Sequence, residues 1–241
     1  MRVILLGYGK MGKVIEGLAL ERGHTIVAHI DEENRAELDQ FSPDTADVVI
    51  EFSHPDAAVQ NLRDCLTLGL PVVCGTTGWL DHRAEIEELC RQRDGAFFYA
   101  SNYSIGVNLL FRINRTLARL MAHQPQYRVT MTETHHVHKL DAPSGTALTL
   151  AEGILDYVPR YTTWVLGAES ADNELPIVSL REGEVPGTHA VKYSSGVDDL
   201  EIIHTAYSRE GFALGAIVAA EWLAGRQGIF GMDDLLGEEP A

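Results

Sequence analysis

Residues 133–147 read Glu-Thr-His-His-Val-His-Lys-Leu-Asp-Ala-Pro-Ser-Gly-Thr-Ala. Three of the ten histidines and one of the four lysines fall within positions 135–139 of this segment, a density that asks for a chemical reading. Three readings compete. A metal site would use His136 and His138, but no carboxylate or thiolate stands at a familiar ligand spacing, so no metal is expected. A polar loop between a strand and a helix would need no chemistry at all. An acid–base and anion-binding site would use histidine, which exchanges protons near neutrality, and Lys139, which can neutralise a carboxylate. Ser144, Gly145 and Thr146 then open a helix. Its first N–H groups can hold a second carboxylate, with Gly145 allowing close approach and the Thr146 hydroxyl adding a donor. These parts suit a small, doubly anionic substrate.

The second chemical motif is Gly7-Tyr8-Gly9-Lys10-Met11-Gly12. A chain with 22 glycines produces accidental matches to G-x-G-x-x-G, so context decides its meaning. Here an apolar run, Arg2 to Leu6, precedes it and a helical pattern follows. Asp31 then ends the next predicted strand, as in a dinucleotide-binding fingerprint. Gly7 permits the tight turn, Gly9 lets the backbone approach a pyrophosphate, and Gly12 lets helix pack on strand. Asp31 can accept hydrogen bonds from a ribose diol and repels a 2′-phosphate. Lys10, Lys13 and Arg35 remain possible phosphate partners. The expectation is NADH and/or NADPH, with NADH used at least as well. Three of the four lysines, Lys10, Lys13 and Lys139, lie in or directly after these two motifs.

The elements that must position both motifs change character along the chain. Up to Ser104, short apolar strands (Thr25–Ile30, 46–52, 71–74, 96–99) alternate with helical patterns, the grammar of a parallel, doubly wound sheet. Pro55 suits the first position of one helix, capped by Ser53 or His54, and Asp81 is a candidate cap for the next. From 105 to 211 the pattern differs. A long helix over 107–121 is followed by strands with one exposed face at 127–131, 176–181, 189–193 and 200–207. Residues 212–223 return to an apolar helix. The fold class is therefore α/β: a Rossmann-like sheet plus a smaller α+β domain with a mixed sheet.

Composition narrows the partners. The 241 residues are 45% hydrophobic and 22% charged, near globular averages, and 19 basic against 35 acidic residues give a formal charge of -16. So negative a surface disfavours nucleic acid and anionic membranes. No apolar run reaches a membrane span or a signal peptide. Three cysteines without a C-x-x-C pair imply neither a disulfide framework nor a zinc ribbon, and a cytoplasmic location is expected.

With these motifs in place, the chain resembles the dihydrodipicolinate reductase family. The resemblance rests on Gly7 to Gly12, Gly75-Thr76-Thr77-Gly78, Asn102-Tyr103-Ser104-Ile105-Gly106-Val107-Asn108 and, most specifically, His135-His136 through Gly145-Thr146. It implies reduction of hydroxy-tetrahydrodipicolinate to tetrahydrodipicolinate by NAD(P)H, in the diaminopimelate route to lysine. It also implies His135 as proton donor and acceptor, Lys139 as its partner, His136 as a substrate contact, and Gly145 with Thr146 as the carboxylate-binding turn. Gly75, Thr76 and Thr77, with Ala100, Ser101, Asn102 and Tyr103, resemble the segments that line the cofactor. A homotetramer assembled through the second domain is expected. So is a dinucleotide-binding domain of residues 1–104 completed by a C-terminal helix over 212–241, and a substrate-binding and oligomerisation domain of residues 105–211. Two positions depart from the family pattern: Tyr103 stands where phenylalanine is common, and Gly187-Thr188-His189 where Gly-Glu-His is expected. The rivals are another two-domain dehydrogenase, or a non-catalytic NAD-sensing regulator. A sugar dehydrogenase would carry Glu-Lys-Pro where this chain has Ala100-Ser101-Asn102-Tyr103, and a DNA-binding regulator would need a basic stripe.

Overall fold

A computed structural model describes residues 1–208 and 210–237. The described residues divide into two compact units, residues 1–105 with 210–237, and residues 106–208.

The first unit is built on six parallel strands: β1 (Arg2–Leu6), β2 (Thr25–Ile30), β3 (Val48–Glu51), β4 (Val72–Cys74), β5 (Ala96–Tyr99) and, from the end of the chain, β11 (Gly228–Phe230). Their spatial order is β11-β5-β4-β3-β1-β2. Every residue of β3, β4 and β5 is buried, as expected for strands covered on both faces. The helices α1 (Lys10–Glu21), α2 (Pro55–Thr67), α3 (Arg83–Gln92) and α6 (Glu210–Leu223) supply the covering layers. Ile15 and Ala19 of α1 share one core with Ala213, Ala216, Ala220 and Leu223 of α6. Leu62 and Leu66 of α2 and Ile86 of α3 share the other. Because all six strands run the same way, the segments following β1 to β5 emerge along one edge, the usual ligand-binding edge of such sheets.

The second unit carries the C-terminal part of α4 (Ile105–Met121), then β6 (Arg128–His135), α5 (Gly145–Leu155), β7 (Thr163–Leu166), β8 (Glu174–Arg181), β9 (Gly187–Ser194) and β10 (Asp199–Ala206). The sheet order is β10-β9-β6-β8-β7. β9 is antiparallel to both β10 and β6, while β8 is parallel to both β6 and β7. Alternate residues Val129, Met131, Val191 and Tyr193 face a core with Leu150, Ala151 and Ile154 of α5. The fold class read from the sequence is the fold observed.

Several boundaries differ from expectation. Residues 212–241 do not form one helix. α6 stops at Leu223, Gly225 turns the chain with φ 74°, and Gly228–Phe230 adds β11 beside β5 before the short α7 (Met232–Leu235). The exposed edge of β5 offers backbone hydrogen bonds that a continued helix would leave unmet. Residues 238–241 lie outside the described residues. Asp81 does not cap α3; it sits in a 3-10 turn, and His82 takes the cap position. His54 precedes Pro55 at the start of α2, while the Ser53 hydroxyl instead donates to Glu51. No helix among the described residues is long and apolar enough to cross a membrane.

Candidate active site

In the first unit, the glycine segment forms the turn from β1 into α1. Gly7 has φ +99°, and a Cβ there would lie 2.1 Å from the Phe52 carbonyl oxygen. A Cβ on Gly12 would lie 2.5 Å from the Gly7 carbonyl oxygen, so the helix start and the strand end touch through bare backbone. At Gly9 nothing stands within 4 Å of such a Cβ, and its backbone faces open space. Gly9 caps α1 without a side-chain hydrogen bond, leaving first-turn N–H groups for an anion.

A cavity of about 750 Å³ opens over this turn, lined by Gly7 to Met11, Asp31 to Glu33, Arg35 and residues following β3. Tyr8 donates to Glu16 and packs on His29 with ring centroids 4.2 Å apart, while Lys13 Nζ lies 5.8 Å from the Tyr8 ring centre. Asp31 is held in a turn, its N–H donating to Asn34 Oδ1 at 2.8 Å. Bare backbone below, acidic residues at the far end and a helix start between them fit a dinucleotide.

The segments after β4 and β5 leave at the same sheet edge but do not line this cavity. Thr76 is buried, and its hydroxyl accepts the Ser53 N–H at 2.8 Å, tying two of the edge loops together. Gly75 adjoins the Phe52 ring, which a Cβ would meet at 2.2 Å. Ala100 is buried, Thr77 and Ser101 are exposed, and Asn102 Oδ1 accepts the Ser104 N–H at 2.9 Å. Tyr103 is buried between Phe52 and Phe98, and its hydroxyl donates to the Cys74 carbonyl at 2.7 Å. That hydrogen bond is how the departure from phenylalanine is accommodated in a core.

In the second unit, Glu133 and His135 lie two residues apart on β6 and therefore share a face. Strand register adds to that face: Glu133 pairs with Ser179 on β8 and His189 on β9, and His135 pairs with Arg181. The Glu133 carboxylate is buried. It accepts the Ser144 N–H at 3.2 Å, the Ser179 hydroxyl at 2.7 Å and the Arg181 guanidinium at 3.3 Å. His135 Nδ1 lies 3.2 Å from Glu133 Oε2, within reach though off the ideal hydrogen-bond direction.

Burial alone would raise the Glu133 carboxyl, but the adjacent His135 imidazole and the hydrogen bonds of Ser144 and Ser179 outweigh it and hold it far below the ordinary carboxylate range. The His189 ring meets His135 edge-on at 5.0 Å, and its Nε2 lies 3.1 Å from the Ser144 hydroxyl. Burial, seconded by His135, pushes His189 down to about 4, so it is neutral at pH 7.

The loop beyond β6 leads to α5. Lys139 Nζ donates to both oxygens of Asp141 at 2.8 Å, so its charge is engaged within the chain. Asp141 is held below its usual range chiefly by that hydrogen bond. Arg181 also donates to the Asp141 carbonyl at 2.7 Å, tying the loop to the Glu133 cluster. Ser144 caps α5, its hydroxyl accepting the Ala147 N–H at 3.2 Å, so Gly145 and Thr146 present first-turn N–H groups that no helical carbonyl takes. Thus Glu133 joins His135 to the start of α5 through Ser144.

His136 is half-buried, its ring 6.0 Å from that of His138, and His138 lies 3.2 Å from Glu184. Glu133, His135 and His189 offer atoms within 4.8 Å of one another, close enough for a metal. The three donors already on the carboxylate, one of them a guanidinium, suit proton handling better than cation binding.

Sequence reading missed Glu133, Ser179 and Arg181 and left His189 without a role. The two-residue spacing of Glu133 and His135 on a strand was the available signal; the others come from register.

A nucleotide-binding parallel sheet joined in one chain to a mixed-sheet unit bearing a histidine–carboxylate cluster defines a two-domain, dinucleotide-dependent oxidoreductase. Comparison makes the class particular. Residues 1–103 match the family model for the dihydrodipicolinate reductase N-terminus, and residues 106–236 that for its C-terminus. The chain belongs to the dihydrodipicolinate reductase family. It is 48% identical over 239 residues to 4-hydroxy-tetrahydrodipicolinate reductase of Christiangramia forsetii, covering 99% of this chain and 98% of the relative. It is 38% identical over 259 residues to the reductase of the same name from Oleidesulfovibrio alaskensis, covering 97% and 98%. Among solved structures, dipicolinate-bound dihydrodipicolinate reductase from Paenisporosarcina sp. TG-14 shares the fold with TM-score 0.79 at 21% identity, covering 97% of this chain and 99% of that one.

Proposed function

We propose that His135 is the proton donor and Lys139 its partner in the family's reaction, with the start of α5 as the carboxylate site. The chain is an oxidoreductase that reduces hydroxy-tetrahydrodipicolinate to tetrahydrodipicolinate in the diaminopimelate route to lysine. A reduced nicotinamide dinucleotide in the glycine cradle supplies the hydride. Gly7 to Gly12 would receive its phosphates and Asp31 its ribose. The loops at Gly75 to Thr77 and Ala100 to Tyr103, on the same sheet edge, would flank its reactive end.

Hydride addition to a conjugated imine leaves an enamine that must gain a proton. His135 Nδ1 is buried against Glu133, so Nε2 is the nitrogen that can deliver it. The Gly145 and Thr146 N–H groups hold one carboxylate. Lys139 exchanges Asp141 for the other, and His136 borders the same loop. The observation that carries this reading is one buried carboxylate, Glu133, that contacts both the His135 imidazole and the N-terminus of α5. Asp31, Glu32 and Glu33 around the cavity support NADH being used at least as well as NADPH.

The test is consumption of NADH and of NADPH on freshly generated substrate. Turnover with both, and a KM for NADH no higher than for NADPH, is the expected result; no consumption of either would overturn the assignment. The reading extends to a homotetramer. The face of the mixed sheet opposite α5 presents Thr130, Thr132 and Thr134 with Ile203, 58% exposed, and Leu180, 39% exposed. Its place of action is the cytoplasm, in keeping with three buried, free cysteines.

A further inference from the structure

Arg35 is the one arginine among the described residues that line the nucleotide cavity, whose lining also holds Asp31, Glu32 and Glu33. An arginine near such carboxylates in a dinucleotide site is the ordinary partner of a 2′-phosphate. This one is already engaged on two sides. Its guanidinium forms an ion pair with Asp64 on α2, and its Nε donates to Asn61 Oδ1 at 2.8 Å. Neither grip is loose. Asp64 is steadied by Gln60, whose Nε2 donates to Oδ1 at 2.8 Å. Asn61 is 4% exposed, and its amide nitrogen lies 3.1 Å from the Ser53 hydroxyl and 3.4 Å from buried Glu51, so its oxygen stays turned to Arg35.

Asp64 itself does not line the cavity. It stands behind the arginine and neutralises it, leaving the three acidic residues to set the sign of the field that a 2′-phosphate would meet.

We infer that Asp64 is a specificity-determining positioning residue: by holding Arg35 against α2, it withholds from the nucleotide cavity the cation that a 2′-phosphate requires. The inference deepens the cofactor reading above and rests on it. Removing the Asp64 charge while keeping its shape releases Arg35 toward the cavity. The consequence is selective for the 2′-phosphate, because a ligand with a free 2′-hydroxyl gains nothing from the released charge.

Titration calorimetry tests this without substrate, using adenosine 2′,5′-bisphosphate and adenosine 5′-monophosphate as probes, with NADPH and NADH beside them. Asp64→Asn should tighten the bisphosphate about five- to tenfold, a surface-screened charge effect, and leave the monophosphate and NADH within about twofold. Asp64→Glu should behave as the parent chain. In an Asp64→Asn, Arg35→Ala double variant the gain should vanish. Arg35→Ala alone, which needs no change at Asp64, should alter bisphosphate binding by less than about threefold, because that charge is already neutralised.

Equal tightening of both probes, no tightening, or a gain that survives without Arg35 would overturn the role of Asp64. So would a large loss in Arg35→Ala alone. A parent chain that binds neither NADH nor NADPH would sink the underlying cofactor reading instead, and the two failures are told apart by the first titration.

Discussion

Each unit of the molecule is organised around one buried glutamate, and the two are used differently. Glu51, at the end of β3, is surrounded by neutral donors: the Ser53 hydroxyl, Asn61 Nδ2 at 3.4 Å and the Cys74 thiol at 3.1 Å. Burial and Glu51 itself push that thiol well above its usual range, so Cys74 remains a protonated donor. Glu133, on β6, is surrounded by two imidazoles and a guanidinium as well as by Ser144 and Ser179.

The difference follows from the task. In the first unit, the proposed anion binding falls to backbone N–H groups bared by Gly7, Gly9 and Gly12, and Glu51 only braces the loops beneath. In the second, where the proposed reaction moves a proton, titratable groups are gathered and their protonation states are set by burial and by one another.

The sharpest way to break this contrast is to remove the proposed proton donor. His135→Ala should lower turnover about 10²–10⁴-fold, the usual worth of a general acid, with NADH affinity unchanged by calorimetry. Undiminished turnover would exclude His135 from proton transfer.

Next in size is the pair of glutamates themselves. Glu133→Gln should destabilise the protein by about 3 kcal/mol in urea unfolding, because Arg181 and the Ser144 N–H lose a charged acceptor inside the protein. Glu51→Gln, among neutral donors, should cost about 1 kcal/mol. Equal losses would erase the difference between the two glutamates.

The third prediction concerns acid. His189 is depressed to about 4 in the folded chain, while the unfolded chain takes up that proton near 6.5. Between those values the unfolded state binds more protons, so stability falls as pH drops from 6.5 to 4, by about 2–3 kcal/mol. Glu133 is also depressed, so its contribution is present above about 4.5 and is lost only as pH falls further through its folded value. His189→Gln should remove the upper window and leave the lower one. A parent chain equally stable at pH 6.5 and pH 4 would contradict the placement of His189.

The smallest effect belongs to the exposed end of the first unit. Asp31→Asn should weaken NADH about two- to fivefold, and NADPH less or not at all, since a solvent-facing hydrogen bond is worth about 1 kcal/mol. Equal weakening of both cofactors would leave Asp31 without a part in the preference.

Some of this could be read before any fold was seen. Gly7 to Gly12 announces its turn because the requirement is local: three residues without Cβ where strand, helix and ligand meet. Ser144 to Thr146 announces a helix start for a similar reason, and β3, β4 and β5 show as mostly apolar runs, Glu51 at the end of β3 excepted, because both their faces are covered. β11 escaped notice because Gly228–Phe230 has only three residues, and what makes it a strand is the open edge of β5. Lys139 looked free in the sequence, whereas Asp141, two residues on, claims its charge.

What the chain's letters determined alone, then, was the type and order of most elements, β7 and β11 excepted, and the two contiguous motifs, since propensity, periodicity and turn chemistry act over a few residues. What tertiary structure decided was which distant side chains became neighbours: Glu133 with His189 and Arg181, and Arg35 with Asp64. Those meetings depend on strand register and on how helices seat against a sheet. Register couples residues some fifty positions apart, and no short-range rule of chain chemistry encodes it.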